Sequence, residues 1–218
     1  MPIKSDREYR NFEVRALEVE QAEEGQEQKR VVSGYASTFE NAYTLYDDGE
    51  YVIREIIDSH AFDDTDMEDV IMQYDHEGRV FARASNGTLR VNADEVGVAI
   101  EADLGGTELG RQIYDEVRGG YTNKMSVGMK IDRSRDVWTS EQLNGKTVET
   151  RRVMRVARLY DVSAVSIPAN DATSISVRAL VDGVIDKIKA ERLEAKKLEL
   201  ERRRLEIRAR ALAGGTKK

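Results

Sequence analysis

Residues 96–104, VGVAIEADL, alternate with a period of two. Val98, Ile100, Ala102 and Leu104 share one face, while Ala99, Glu101 and Asp103 share the other. Only an extended strand gives that period, and one apolar face demands a sheet with one side buried. Other segments carry the same signal. VVSGYASTF (31–39) reads as a strand whose internal Gly marks a bulge or close packing, and VFARASNGTLRV places Asn86-Gly87 between two alternating runs, the pattern of a tight hairpin. KMSVGMKI, TVETRRVMRVARLYDVSAVSI and SISVRAL add further strands. Two helices are expected among them. TELGRQIYDEVRGG (107–120) spaces Leu109, Ile113 and Val117 four apart and stops at Gly119-Gly120. DSHAFDDTDMEDV is expected to be a shorter helix capped by Asp58 or Ser59.

After Leu180 the pattern changes. GVIDKIKAERLEAKKLELERRRLEIRARALAGG lacks Pro and is rich in Ala, Leu, Glu, Lys and Arg. It predicts one helix of about 30 residues. Val184, Ile188, Ala195, Leu198, Leu205, Ala209 and Leu212 follow an a/d heptad that Glu191 and Arg202 interrupt, with Leu193, Leu200 and Ile207 roughly opposite. Charge divides at the same place. From Gly183 onward 12 Lys/Arg stand against 6 Asp/Glu, whereas the preceding body carries 22 against 35. Two units are therefore expected, a body over 1–180 and a charged helix over 181–218 that can act as a coiled coil or a docking tail. No window is apolar for long enough to span a membrane, and MPIKSDREYRNFEV has no apolar signal core. A soluble protein is expected.

The chain has no Cys and two His, so thiolate nucleophiles, thiolate metal sites and disulfides are excluded. The acidic run DDTDMED does not match a calcium-loop spacing and reads as solvated acids, so neither a metal nor a cofactor is expected. ERRRLEIRAR lacks the interleaved aromatics of a nucleic-acid surface. His60, in IDSHAF, sits beside an expected helix start, where a polar residue needs no special role. His76 ends the run VIMQY just before Gly78, where a strand gives way to a turn. Both a surface role and a role as base fit that place. Ser126 lies in an apolar strand with Gly128 two places on, which leaves room for a substrate backbone, but serines in strands are common. Pro168 closes the run VSAVSI and most simply ends a strand.

Several blocks, taken in order, resemble the prohead proteases of tailed phages with the HK97 capsid fold. They are VSGYASTF, IIDSHAFDD, V-x-M-x-x-D-H at 70–76, GTLRVNADEVGVAIEADL, Ser-x-Gly-Met at 126–129 and LYDVSAVSIPAND at 159–171. The last is similar to the family's Leu-x-Glu-Val-Ser-x-Val-x-x-Pro-Ala-Asn, with Asp161 in the place of its Glu. The resemblance implies a herpesvirus assemblin-like serine peptidase. Its fold would be α+β, a compact barrel of mostly antiparallel strands with flanking helices. His76 would be the general base and Ser126 the nucleophile. Assemblins use a second histidine as third member. Here His60 lies in the wrong block, so an acidic residue is expected instead: Asp161 first, and Glu101 as runner-up.

The same resemblance implies a function in procapsid maturation, inside the assembling shell in the cytoplasm of a bacterial host. The expected substrates are a scaffold protein or the N-terminal scaffolding segment of the major capsid protein, and the protease itself. The basic helix would dock on an acidic helical scaffold or associate with its own kind. The rival reading is a catalytically silent assembly factor acting through that helix. Retention of both His76 and Ser126 favours the enzyme.

Overall fold

The computed structural model describes residues 7–12, 18–19, 30–122 and 124–165, and in the tail 186, 190, 193–194, 197–198 and 201–205. In chain order the body holds β1 (Glu8–Phe12), β2 (Glu18–Val19), β3 (Val31–Thr38), β4 (Tyr43–Asp47), β5 (Tyr51–Ile57), β6 (Ile71–Tyr74), β7 (Glu77–Arg83), β8 (Leu89–Ala93) and β9 (Gly97–Asp103). Helix α1 (Glu108–Arg118) follows, then β10 (Lys124–Ile131), β11 (Val137–Leu143), β12 (Lys146–Val153) and β13 (Val156–Val165).

These strands form three sheets, in the orders β1-β10-β13-β6-β7, β11-β12-β5-β4 and β2-β3-β9-β8. Most pairs are antiparallel, while β12–β5 and β13–β6 are parallel. The body is thus mostly strand, as expected, but among the described residues the sheets do not close into the expected barrel. Each ends in edge strands, and the three share one core. Met72, Val127, Met129, Leu159 and Val162 of the first sheet pack in the same cluster as Val32, Val98 and Ile100 of the third and Phe62 of a connecting turn. Burial of the faces, rather than a continuous ring of backbone hydrogen bonds, unites them.

The alternation in β9 is realised: Val98, Ile100, Ala102 and Leu104 are buried while Asp103 is exposed. A register shift between Tyr35 and Ser37 is the bulge suggested in β3. In α1 the Thr107 side chain accepts a hydrogen bond from the Gly110 N–H, Ile113, Tyr114 and Val117 are buried, and Gly119 follows the last turn.

Two local expectations fail for identifiable reasons. Asn86-Gly87 does not join a hairpin, because β7 pairs with β6 and β8 with β9, in different sheets. Residues 84–86 form one 3₁₀ turn ended by Gly87 at φ 77°. The Thr88 hydroxyl accepts from Arg83 N–H and donates to Asn86 Oδ1, so side chains satisfy the turn without a ladder. DSHAFDDTDMEDV is a series of turns instead of a helix. Asp58 binds Arg152, while Ala61 and Phe62 are buried and the Ala61 carbonyl accepts from Val156 N–H. Contacts with β12 and β13 override the local cap signal.

The chain divides into two compact units, residues 1–178 and 179–218. The described tail residues are helical and exposed. The rest of the expected 181–218 helix, most of its heptad positions and SISVRAL lie outside the described residues.

Candidate active site

The site is built on two neighbouring strands. Antiparallel pairing of β10 with β13 sets Ser126 opposite Ser163 and Gly128 opposite Asp161. Because strand side chains alternate, Ser126 and Gly128 share a face of β10, and Asp161 and Ser163 share a face of β13. β13 in turn runs parallel to β6, whose end delivers the third group.

That group arrives on a tight hairpin between β6 and β7. Tyr74 pairs with Glu77, leaving Asp75-His76 as a two-residue loop. Both residues have positive φ, 47° and 59°. This is the sign pattern of a type I′ turn, normally taken by Asn or Gly. A left-handed conformation costs a non-glycine residue roughly 1–2 kcal/mol, and the hydrogen bond from Asp75 N–H to the Ala164 carbonyl (3.0 Å) helps to hold it. The strained turn aims the imidazole back across the sheet.

His76 Nδ1 lies 2.5 Å from Asp161 Oδ1, and Nε2 is hydrogen-bonded to Ser126 Oγ. With the ring proton on Nδ1 it donates to Asp161, leaving Nε2 to accept the serine proton. Ser163 Oγ donates to the same Asp161 oxygen at 3.0 Å and lies 3.2 Å from His76 Nδ1. Arg7 reaches the other carboxylate oxygen at 3.4 Å. A Cβ on Gly128 would sit 2.1 Å from Asp161 Oδ2, so the carboxylate occupies the room that the missing side chain leaves. Ser126, Asp161 and Ser163 are wholly buried, whereas the His76 side chain keeps 14% exposure.

The structure therefore brings three of the expected residues, His76, Ser126 and Asp161, into hydrogen-bonded contact. Glu101 is elsewhere, on β9 in the third sheet, with its exposed carboxylate 3.0 Å from Arg90. His60 is 79% exposed and pairs with Asp63. Sequence reasoning overlooked Ser163, although its position two residues after Asp161 puts both on one strand face. It also overlooked Arg7 and Tyr9 at the start of the chain. The Tyr9 ring lies 4.2 Å from the His76 ring, and burial raises its phenol above the ordinary tyrosine value. No cluster of three or more His, Cys, Asp or Glu among the described residues could hold a metal ion. No described helix is long and apolar enough to cross a membrane.

Next to the site lies a buried ionic cluster. Arg10 of β1 binds Glu55 through two nitrogens, at 2.5 and 3.0 Å, and Glu8 at 2.7 Å. Arg151 joins Glu55 (2.8 Å), Glu8 (3.3 Å) and Asp136 (2.5 Å), and Tyr43 hydroxyl donates to Glu55. Burial alone would raise the Glu8 carboxyl, but Arg10 and Arg151 beside it bring it down to about 2. The same opposition, with Arg10 prevailing over burial, lowers Glu55. Asp136 goes the other way, because burial outweighs Arg151 and raises it.

A serine whose hydroxyl meets an imidazole that is in turn held by a buried carboxylate is the arrangement of a serine peptidase. Residues 15–186 match the family model described as caudovirus prohead serine protease, and the chain belongs to that family. It is a serine protease of phage procapsid maturation. Comparisons with curated proteins and with solved structures gave no match.

Proposed function

We propose that this chain is the endopeptidase that cleaves a scaffold protein, or the N-terminal scaffolding segment of the major capsid protein, and also itself. Ser126 is the nucleophile, His76 the general base and Asp161 the residue that orients it. The observation that carries this reading is the imidazole of His76 bridging Ser126 Oγ and Asp161 Oδ1. As Oγ attacks the scissile carbonyl carbon, Nε2 takes its proton. The C–N bond then breaks, Nε2 returns the proton to the leaving amine, and an acyl-serine remains for water to hydrolyse. Asp161 keeps the proton on Nδ1 and stabilises the imidazolium that forms. Ser163 and Gly128 position the carboxylate, one by a hydrogen bond and the other by leaving space.

The enzyme works in the cytoplasm of a bacterial host, within the shell it matures. Residues 1–180 are the protease unit, and the basic helix over 181–218 docks it on an acidic helical scaffold or on a second copy. Co-expression with the cognate major capsid protein tests the central claim. Wild type should shorten the capsid protein, while Ser126→Ala and His76→Ala should leave it full-length in assembled shells. The same product with all three proteins would refute the site, and no processing by any would favour an assembly factor. Deleting residues 183–218 should abolish incorporation into proheads and spare peptidase activity, and unchanged incorporation would sink the docking role.

A further inference from the structure

The start of the chain touches every member of the Ser–His–Asp set. Arg7 reaches Asp161, the Tyr9 ring lies against His76, and the Arg10 carbonyl accepts a hydrogen bond from Ser126 Oγ at 3.0 Å. Among the described residues β1 is an edge strand, bonded in its sheet to β10 alone, in antiparallel register from Glu8↔Met129 to Phe12↔Met125. It thus lies as an extended peptide along the strand that carries the serine. Ser126 has no exposed surface, so no substrate carbonyl reaches Oγ while this arrangement persists. The hydroxyl has one proton, and the Arg10 carbonyl competes for it with His76 Nε2.

From these contacts we infer that the β10 edge under β1 is the peptide-binding site of the protease, and that β1 fills it as an internal stand-in. The inference rests on the proposed triad. A substrate adds to β10 as an antiparallel strand once β1 leaves, gaining its backbone hydrogen bonds from the edge. The register also assigns a specificity. Arg10 is the residue whose carbonyl meets Ser126, so its side chain marks the pocket for the residue on the acyl side of the cleaved bond. That pocket is acidic. With β1 gone, Glu8 and Arg10 leave together, and among the described residues Glu55 and Asp136 face a single cation, Arg151, while Arg133 reaches the cluster through Glu8. A buried pair of carboxylates against one guanidinium calls for a second cation, and Glu55 already grips one in bidentate geometry. The site takes an extended peptide with Arg or Lys before the cleaved bond. Ser126 Oγ bonds to that residue's carbonyl carbon, the following amine departs with the serine proton, and water later frees the basic C-terminus.

The test compares the purified full chain with Arg10→Ala, Arg10→Lys and Tyr9→Ala, on fluorogenic peptides that differ only in Arg, Lys, Leu or Glu before the cleaved bond. Ser126→Ala is the blank. Wild type and Arg10→Lys should be nearly silent, and Arg10→Ala at least about tenfold faster, with Arg and Lys peptides cleaved at least about tenfold faster than Leu or Glu peptides. Because Arg10 is part of a buried cluster, Tyr9→Ala, which lies outside it, gives a second route. Labelling of Ser126 by a fluorophosphonate should be faster in that variant than in wild type. Equal labelling and equal peptidase rates in wild type and variants would overturn the occlusion. Faster variants that cleave Leu or Glu peptides as well as Arg peptides would overturn the pocket. Failure of the underlying protease reading looks different: capsid protein would be processed identically by wild type and Ser126→Ala.

Discussion

Two polar clusters lie side by side in this protein, and β1 contributes to both. The Glu8–Arg10–Glu55–Arg151–Asp136 cluster is a set of full charges closed off from water. The His76–Ser126–Asp161 set holds one carboxylate, one imidazole at a partly exposed turn, and hydroxyls. In the first, each ion needs its partners, because an uncompensated charge in a low-dielectric interior is costly. In the second, the serine proton can pass to the imidazole without either group being left as an unpaired buried ion. The charges that hold the fold and the groups that move the proton are therefore different sets of residues, although β1 touches both.

That difference can be broken experimentally, most sharply at Ser126, the proposed nucleophile. On the Arg10→Ala background, whose site is open to peptides, Ser126→Ala should lower peptide cleavage by about 10⁴-fold or more. In the otherwise unaltered chain it should shift the melting temperature little, since it removes one hydroxyl and no charge. Loss of folded protein in that variant, seen by circular dichroism, would show that the two clusters are not independent. On the same Arg10→Ala background Asp161→Asn should cost roughly 10³–10⁴-fold in kcat, because an amide in place of the carboxylate neither fixes the Nδ1 proton nor stabilises the imidazolium. A full-rate Asn variant would remove Asp161 from the set.

Arg151→Met should act in the opposite sense, destabilising the fold by about 3–5 kcal/mol in urea unfolding, because Glu8, Glu55 and Asp136 lose their shared cation. A cost below ~1 kcal/mol would mean that water or Arg10 compensates. The smallest effect is in acid. Glu8 titrates near 2 in the folded protein, below the ordinary 4.5, so it contributes stability that is fully present above about 4.5 and is lost as pH falls toward 2. Unfolding midpoints measured between those limits should decline steadily. In Arg151→Met the decline should begin at higher pH, since one of the cations that holds Glu8 down is gone.

Many of these elements are legible in the amino-acid sequence. The alternation in β9, the capped helix ended by Gly119 and the strand around Ser126 are local signals, and local signals survive folding when one face is buried and the other solvated. The same kind of signal misleads at Asn86-Gly87 and at DSHAFDDTDMEDV, where side-chain hydrogen bonds and contacts to distant strands choose the conformation. Asn-Gly does make a two-residue hairpin at Asn144-Gly145, and another forms at Asp75-His76, where neither residue is the Gly that such a turn favours. Surrounding contacts offset the cost of a turn that opposes propensity, and this one aims His76.

By itself the sequence determined which side chains could do chemistry, since a chain without cysteine and with two histidines leaves few candidates, and it determined the strand-rich body through its periodicity. Tertiary structure alone decided which carboxylate met the imidazole. Asp161 and Glu101 are both acids on strands, yet strand register places Asp161 opposite Gly128, in the space a missing Cβ leaves, and sends Glu101 to another sheet. Pairing between strands distant in sequence is set by which apolar faces bury together, and no local pattern encodes that choice.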